Sequence, residues 1–208
     1  MMLLALDTTA AVATAALFRD GVLLEEREAD ATKKHAQTAL PLIDELLEKN
    51  GVTISQIDLF AVDIGPGSFT GVRIGVSLVN ALAFGTGKRI VPVDALTALA
   101  KSVQQTQKPV CAMIDARNGN AYAALYQSGD TLIEPEAVEI ASLLKRVPSD
   151  AVFVGDVNTE EKTYPRAKQI GIAALMRQET SQNEAEPIYL RASQAERLRK
   201  TVVKEAKR

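Results

Sequence analysis

Three glycines in seven residues, Gly65-Pro66-Gly67-Ser68-Phe69-Thr70-Gly71, interrupt the apolar stretch that runs from Leu59 to Phe84. A glycine loop that opens a helix can aim backbone N–H groups and the positive end of the helix dipole at one point, which is the chemistry of anion binding. Its spacing is not that of a P-loop, since no Gly-Lys-Ser/Thr closes it, and G-x-G-x-x-x-G is one residue longer than the dinucleotide fingerprint. A tight turn accounts for the same residues, with the glycines allowing positive φ and Gly71 allowing close helix packing. Asp7-Thr8-Thr9 and Asp115 are the other candidates. Each aspartate ends an apolar, strand-like run, so the two could face each other across a cleft and hold a hydrated Mg²⁺, or each could simply cap the turn that follows it.

Other chemistries are poorly supported. Ser68, His35 and an aspartate would nominally make a peptidase triad, but Ser68 lacks the G-x-S-x-G context that exposes a nucleophile. His35 is the only histidine and Cys111 the only cysteine, too few for a familiar zinc site. Cys111 lies in the apolar run VCAMI and reads as a buried small hydrophobe, and a lone thiol excludes an internal disulfide.

The elements that must position these residues follow from periodicity and turn chemistry. Leu3 to Leu6 reads as a strand, and Asp20-Gly21 between Ala13–Phe18 and Val22–Glu26 is a hairpin signal. His35 to Lys49 has helical spacing and ends at Asn50-Gly51, with Pro41 expected to kink it or shift its start. Leu59 to Ile64 is a strand, and a helix is predicted from near Val72. Ile90 to Val93 is another strand, with Asp94 as the N-cap of a helix over 95–103. The second half repeats this plan. Val110–Ile114, Ala121–Gln127 and Thr131–Val138 read as strands, 141–146 as a helix and Ala151–Val154 as a strand, and Pro165 opens a further helix. A duplicated α/β unit with mixed sheets is expected, divided at the polar segment 104–108. Nothing in the second copy matches the glycine loop.

Hydrophobic content of 47% with 24% charged residues is ordinary for a globular chain, and 208 residues make one large or two small domains. A net charge of −2 argues against a general nucleic-acid binder. The segment 191–208 is the exception, with seven basic and two acidic residues. Ser193-Gln194-Ala195-Glu196 has the form of a capping box, so a final basic helix is expected there, packed on the body or touching nucleic-acid phosphates or an acidic partner. No basic leader precedes Met1–Ala5, and no apolar run was expected to span a membrane, so a cytoplasmic, non-membrane protein is predicted.

GPGSFTG followed by VRIG, LLALDTT at the N-terminus, HAQTALPLIDELL from His35, IDARNGNAY and EPIYLR resemble the TsaB (YeaZ) family of the actin-like ATPase superfamily. The resemblance implies a duplicated ribonuclease-H-like fold with two mixed-sheet lobes, 1–104 and 105–190, followed by the basic segment 191–208. It implies a non-catalytic scaffold in the complex that makes threonylcarbamoyladenosine at position 37 of tRNAs reading codons that start with A. The partners implied are a TsaD-type catalytic paralogue and a TsaE-type ATPase, a second copy when the chain is alone, and tRNA only through the complex. The catalytic paralogue carries two metal-ligating histidines four residues apart, which this chain lacks. By the same resemblance, Asp7, Thr8, Thr9, Gly65, Gly67, Ser68, Thr70, Gly71 and Asp115 would form a nucleotide cleft that does not grip ATP and Mg²⁺ tightly without partners. His35, Leu42, Gly71, Arg73, Ile74, Gly75, Leu78 and Leu82 would form the pairing face. A stand-alone ATPase or small-molecule kinase of the same superfamily is the alternative.

Overall fold

The protein is described here by a computed structural model covering residues 1–29, 34–103 and 106–191. The predicted basic helix beyond Arg191 lies outside the described residues. The first sheet contains β1 (Met2–Asp7), β2 (Thr14–Arg19), β3 (Val22–Glu28), β4 (Leu59–Asp63) and β5 (Arg89–Val93), in the order β3-β2-β1-β4-β5. β1 to β3 are antiparallel, joined by the Asp20-Gly21 turn with both residues at positive φ, and β1, β4 and β5 run parallel. Helices α1 (His35–Lys49) and α2 (Phe69–Thr86) cover one face, packing Leu46, Val72, Val76 and Val79 on Leu4, Leu6, Phe60 and Val62. The other face carries Leu3, Ala5, Leu59 and Ala61. Burial on both sides explains why β1 and β4 read as continuous apolar runs.

The second sheet holds β6 (Val110–Asp115), β7 (Asn120–Gln127), β8 (Asp130–Glu139) and β9 (Val152–Gly155), in the order β8-β7-β6-β9. Its antiparallel hairpins and its parallel β6–β9 pair repeat the first four strands of the first sheet, with no counterpart of β5. This is the expected duplicated α/β architecture, and it puts Asp7 and Asp115 at equivalent strand ends. Helix α3 (Ala95–Ala100) lies between the sheets, with Ala98 against the first and Leu96 and Leu99 against the second, while α4 (Ile140–Leu144) covers the second sheet's other face.

Helix α5 (Ala167–Leu175) follows β9 in the chain but packs on the first sheet, through Ala167, Ile170, Ala173 and Ala174. No local side chain caps its start. Instead Thr14 Oγ1 accepts from Ala167 N at 2.8 Å, and Glu26 Oε1 from Lys168 N at 2.8 Å, placing a carboxylate at the positive end of the helix. The segment after α5 also returns to the first sheet, where Gln182 bridges to Ile90 and the Asn80 side chain holds both backbone groups of Ala185.

Several boundaries differ from expectation. α2 starts at Phe69 rather than Val72, because Ser68 is its N-cap and accepts from Gly71 N at 3.2 Å. α3 ends at Ala100, and α1 runs through Pro41 with its start unmoved. α2 is also 18 residues long and apolar enough by length and composition to cross a membrane, but Arg73 and Asn80 interrupt it. One of its faces is packed on the sheet.

Gly71 and Gly75 occupy that packed face. A Cβ at Gly71 would come within 1.9 Å of the Thr8 carbonyl oxygen, and one at Gly75 within 2.4 Å of Thr8 Oγ1. Gly71→Ala and Gly75→Ala are therefore expected to lower the unfolding free energy by about 2 kcal/mol or more in urea titrations. Gly85→Ala, with open space around it, should instead raise it by roughly 0.5 kcal/mol. Wild-type stability in Gly71→Ala would overturn this packing.

Candidate functional site

The carboxyl ends of β1, β4 and β6 open into a cleft of about 560 Å³ between the two sheets. From the first half come Thr9, His35, Gly67, Ser68 and Phe69, and from the second Asp115, Arg117, Tyr122 and Asp156. Tyr189 and Arg191, from the segment after α5, complete the wall, and Arg191 Nη1 donates to the Ala116 carbonyl at 2.8 Å.

Asp7 does not line this cleft. It is fully buried beneath it, where its Oδ1 accepts from Thr9 N at 2.7 Å and from Thr9 Oγ1 at 2.8 Å. Asp63, also fully buried, stands on the other side of the same hydroxyl, with Oδ2 3.0 Å from Thr9 Oγ1 and Oδ1 accepting from Gly65 N at 2.7 Å. One hydroxyl has one proton to donate, so two ionised carboxylates cannot both be satisfied by it. Burial raises the Asp7 carboxyl to about 6, and burial with the adjacent Asp7 charge raises Asp63 well above the usual carboxylate range. With both carboxyls raised and one hydroxyl between them, the pair holds on to a proton above the usual carboxylate range. Asp7 Oδ2 is buried without a hydrogen-bond partner.

The expected Mg²⁺ arrangement is thereby corrected. Asp115 lies on the surface of the cleft, accepting from Arg117 N at 2.8 Å, whereas Asp7 is turned inward toward Asp63. The described residues contain no group of three or more acidic, histidine or cysteine side chains able to hold a metal ion. The donor set does not fit a cleft-bridging Mg²⁺.

The glycine loop has likewise committed much of its backbone. Gly65 N serves Asp63, Ser68 N donates to the Thr9 carbonyl at 3.0 Å, Gly71 N to Ser68 Oγ, and Val72 N to the Ser68 carbonyl at 2.9 Å. Gly65 has φ 95°, and Gly67 presses on Thr9, where an added Cβ would meet Thr9 Cβ at 2.8 Å. Of the expected cleft residues, Thr9, Gly67, Ser68 and Asp115 line the cavity. Asp7, Thr8, Gly65 and Gly71 lie beneath it, and Thr70 faces solvent on the first turn of α2.

The family model for TsaD, tRNA N6-adenosine threonylcarbamoyltransferase, matches residues 28–169. The tRNA threonylcarbamoyladenosine biosynthesis protein TsaB of Haemophilus influenzae is 39% identical over 59% of this chain and 52% of that protein, and its Escherichia coli namesake is 35% identical over 66% and 62%. YeaZ from Pseudomonas aeruginosa superposes with a TM-score of 0.72 at 29% identity, covering 91% of this chain and 99% of that one. The chain belongs to the TsaB (YeaZ) family. It spans between half and two thirds of the length of these two TsaB relatives.

Within this TsaB-family fold the residues expected at a pairing face separate into two sets. Leu42, Gly71 and Gly75 are buried in the chain's own core, and His35 lies in the cleft, with Nε2 2.8 Å from the Ala10 carbonyl. Arg73 is exposed and Ile74 half-buried on the outer side of α2, whereas Leu78 and Leu82, also half-buried, pack their inner edges against the chain's own core. Arg73 stacks over the Phe69 ring at 4.0 Å, and its Nε donates to the Tyr189 hydroxyl at 2.9 Å. The peptidase triad is not assembled, since Ser68 Oγ caps α2 and His35 is engaged with Ala10. Sequence reasoning missed Asp63, Tyr189 and Phe84. Asp63 had a signal, a carboxylate closing an otherwise apolar strand.

Because both carboxyls hold protons more tightly folded than unfolded, their contribution to stability is complete below about pH 4 and is lost as the pH rises through 6 and beyond. For Asp7 alone the loss is on the order of 3 kcal/mol. Asp63→Asn replaces the shared proton with a permanent donor. In urea unfolding, the variant should gain on the wild type steadily between pH 4 and pH 8. A stability difference that does not change with pH would refute the shared-proton arrangement.

Proposed function

We propose that this chain is the non-catalytic scaffold and activating subunit of the complex that transfers a threonylcarbamoyl group to adenosine 37 of tRNAs reading ANN codons. In this reading it binds a TsaD-type catalytic paralogue and a TsaE-type ATPase, pairs with itself when alone, meets tRNA only through the complex and works in the cytoplasm. ATP and Mg²⁺ enter only in the assembled complex.

The outer face of α2 carries the reading. Ser77, Ala81 and Gly85, spaced four apart, are exposed and small, with half-buried Ile74 beside them and Leu78 and Leu82 at the margin where the helix packs on its own core. Phe84 is 91% exposed at the same end. A stripe of small residues flanked by aliphatic ones lets a second helix approach closely and bury apolar area. The small residues offered outward are thus Ser77, Ala81 and Gly85, while Gly71 and Gly75 serve the interior. The engagement of the Gly65, Ser68 and Gly71 N–H groups within the chain and the inward-facing Asp7 support a role without its own phosphate chemistry.

The test is threonylcarbamoyladenosine formation on tRNA in a reconstitution with TsaD, TsaE and the enzyme that supplies threonylcarbamoyl-adenylate, with this chain added or omitted. Repeated turnover should require the chain. Ala81→Arg, at an exposed site, and Leu78→Arg should each reduce turnover to the level without it, and both should prevent co-elution with TsaD. Full turnover without the chain would refute the proposal.

A further inference from the structure

A second cavity, of about 450 Å³, lies at the end of β6 opposite Asp115. The carboxyl ends of α3 and α5 meet the start of β6 and the β7–β8 hairpin there, so the cavity touches elements packed on both sheets. Val103, Val110, Ala173 and Met176 give its lining an apolar component. Met176 is 64% exposed, an apolar side chain left facing the opening.

The lining is also cationic. Lys101, Lys108 and Arg177 line the cavity, and no carboxylate does. Among the described residues none of these three takes part in an ion pair. Lys101 and Arg177 follow helix carboxyl ends, where basic side chains are common, but Lys108 does not. Tyr126 adds a neutral donor, since burial first, and then Asp94 and Glu134, push its hydroxyl above the usual range. That hydroxyl lies 3.3 Å from Thr97 Oγ1. Three cations and a phenol together with apolar side chains, in a chain of net charge −2, make a local preference for negative charge with a hydrophobic body.

We propose that this cavity binds a small organic anion, with its apolar part against Val103, Val110 and Met176 and its carboxylate or phosphate held by Lys101, Lys108 and Arg177. The site is separate from the cleft and does not depend on the proposed function. Its occupant would touch α3 and α5 on one side and the second sheet on the other, tying the two halves together.

Isothermal titration of the full chain with 4-phenylbutyrate, phenyl phosphate and the neutral 4-phenylbutanamide tests this. At least one of the two anions should bind saturably at one site per chain, more weakly as salt is added, and the amide should bind at least about tenfold more weakly. Which anion binds tells carboxylate from phosphate recognition. Lys101→Ala/Arg177→Ala, at positions exposed enough to leave the fold intact by circular dichroism, should cost about tenfold or more in affinity, while Arg117→Ala in the cleft should leave it unchanged. The proposal is overturned if neither anion binds, if the amide binds equally well, if the double variant binds like the wild type, or if Arg117→Ala abolishes binding.

Discussion

Thr8 lies with its backbone carbonyl and its hydroxyl directly on the first two turns of α2, and its Oγ1 donates to the Gly71 carbonyl at 2.7 Å. That contact requires Gly71 and Gly75, four residues apart and so on one face of the helix. With them in place, the end of β1 and the start of α2 sit closer than any side chain would permit. Residues two positions further along are turned by about 200°, given 100° per residue, so Arg73 and Ser77 point away from the sheet. The same contact therefore fixes the start of α2 at the cleft and the orientation of its outer face.

Much of the fold was legible because its signals are local. The Asp20-Gly21 turn, the apolar runs of β1, β4 and β6 and the Asp94 cap all act within a few residues, and the structure bears them out. The position of α5 was not legible. Its stripe of Ala167, Ile170, Ala173 and Ala174 says that one face is buried, not against which sheet. Its cap comes from Thr14 and Glu26, more than a hundred residues away. Gly171 shows the closeness of the fit, since a Cβ there would meet the Phe18 ring at 2.1 Å.

The site was legible in part, for a related reason. A glycine loop before a helix is compatible with gripping phosphate or with gripping its own chain, and spacing does not separate the two. Here Asp63 takes the Gly65 N–H and the Thr9 carbonyl takes that of Ser68, so part of the loop grips its own chain. Asp7 at a strand end is equally ambiguous until Asp63 is seen beside it. Small residues in α2 are also compatible with an inner or an outer contact, and both uses occur on opposite faces of one helix.

The cleft and the outer face of α2 are joined by the segment after α5. Gln182 pairs with Ile90, Asn80 holds Ala185, Ile188 N donates to the Ile64 carbonyl at 2.8 Å, and Arg191 reaches Ala116 in the second half. Between these anchors Tyr189 packs on Phe69, with ring centroids 5.0 Å apart, and accepts from Arg73. A partner landing at the start of α2 would meet Phe69, Arg73 and Tyr189 together, exposed rings and a guanidinium of the kind that carries binding energy at interfaces. Phe69 and Tyr189 also line the cleft, so the rim of the cleft and the start of α2 are one continuous surface. Whatever lands on Phe69, Arg73 and Tyr189 would therefore touch the cleft wall directly, two residues from Arg191, which ties that wall to the second half.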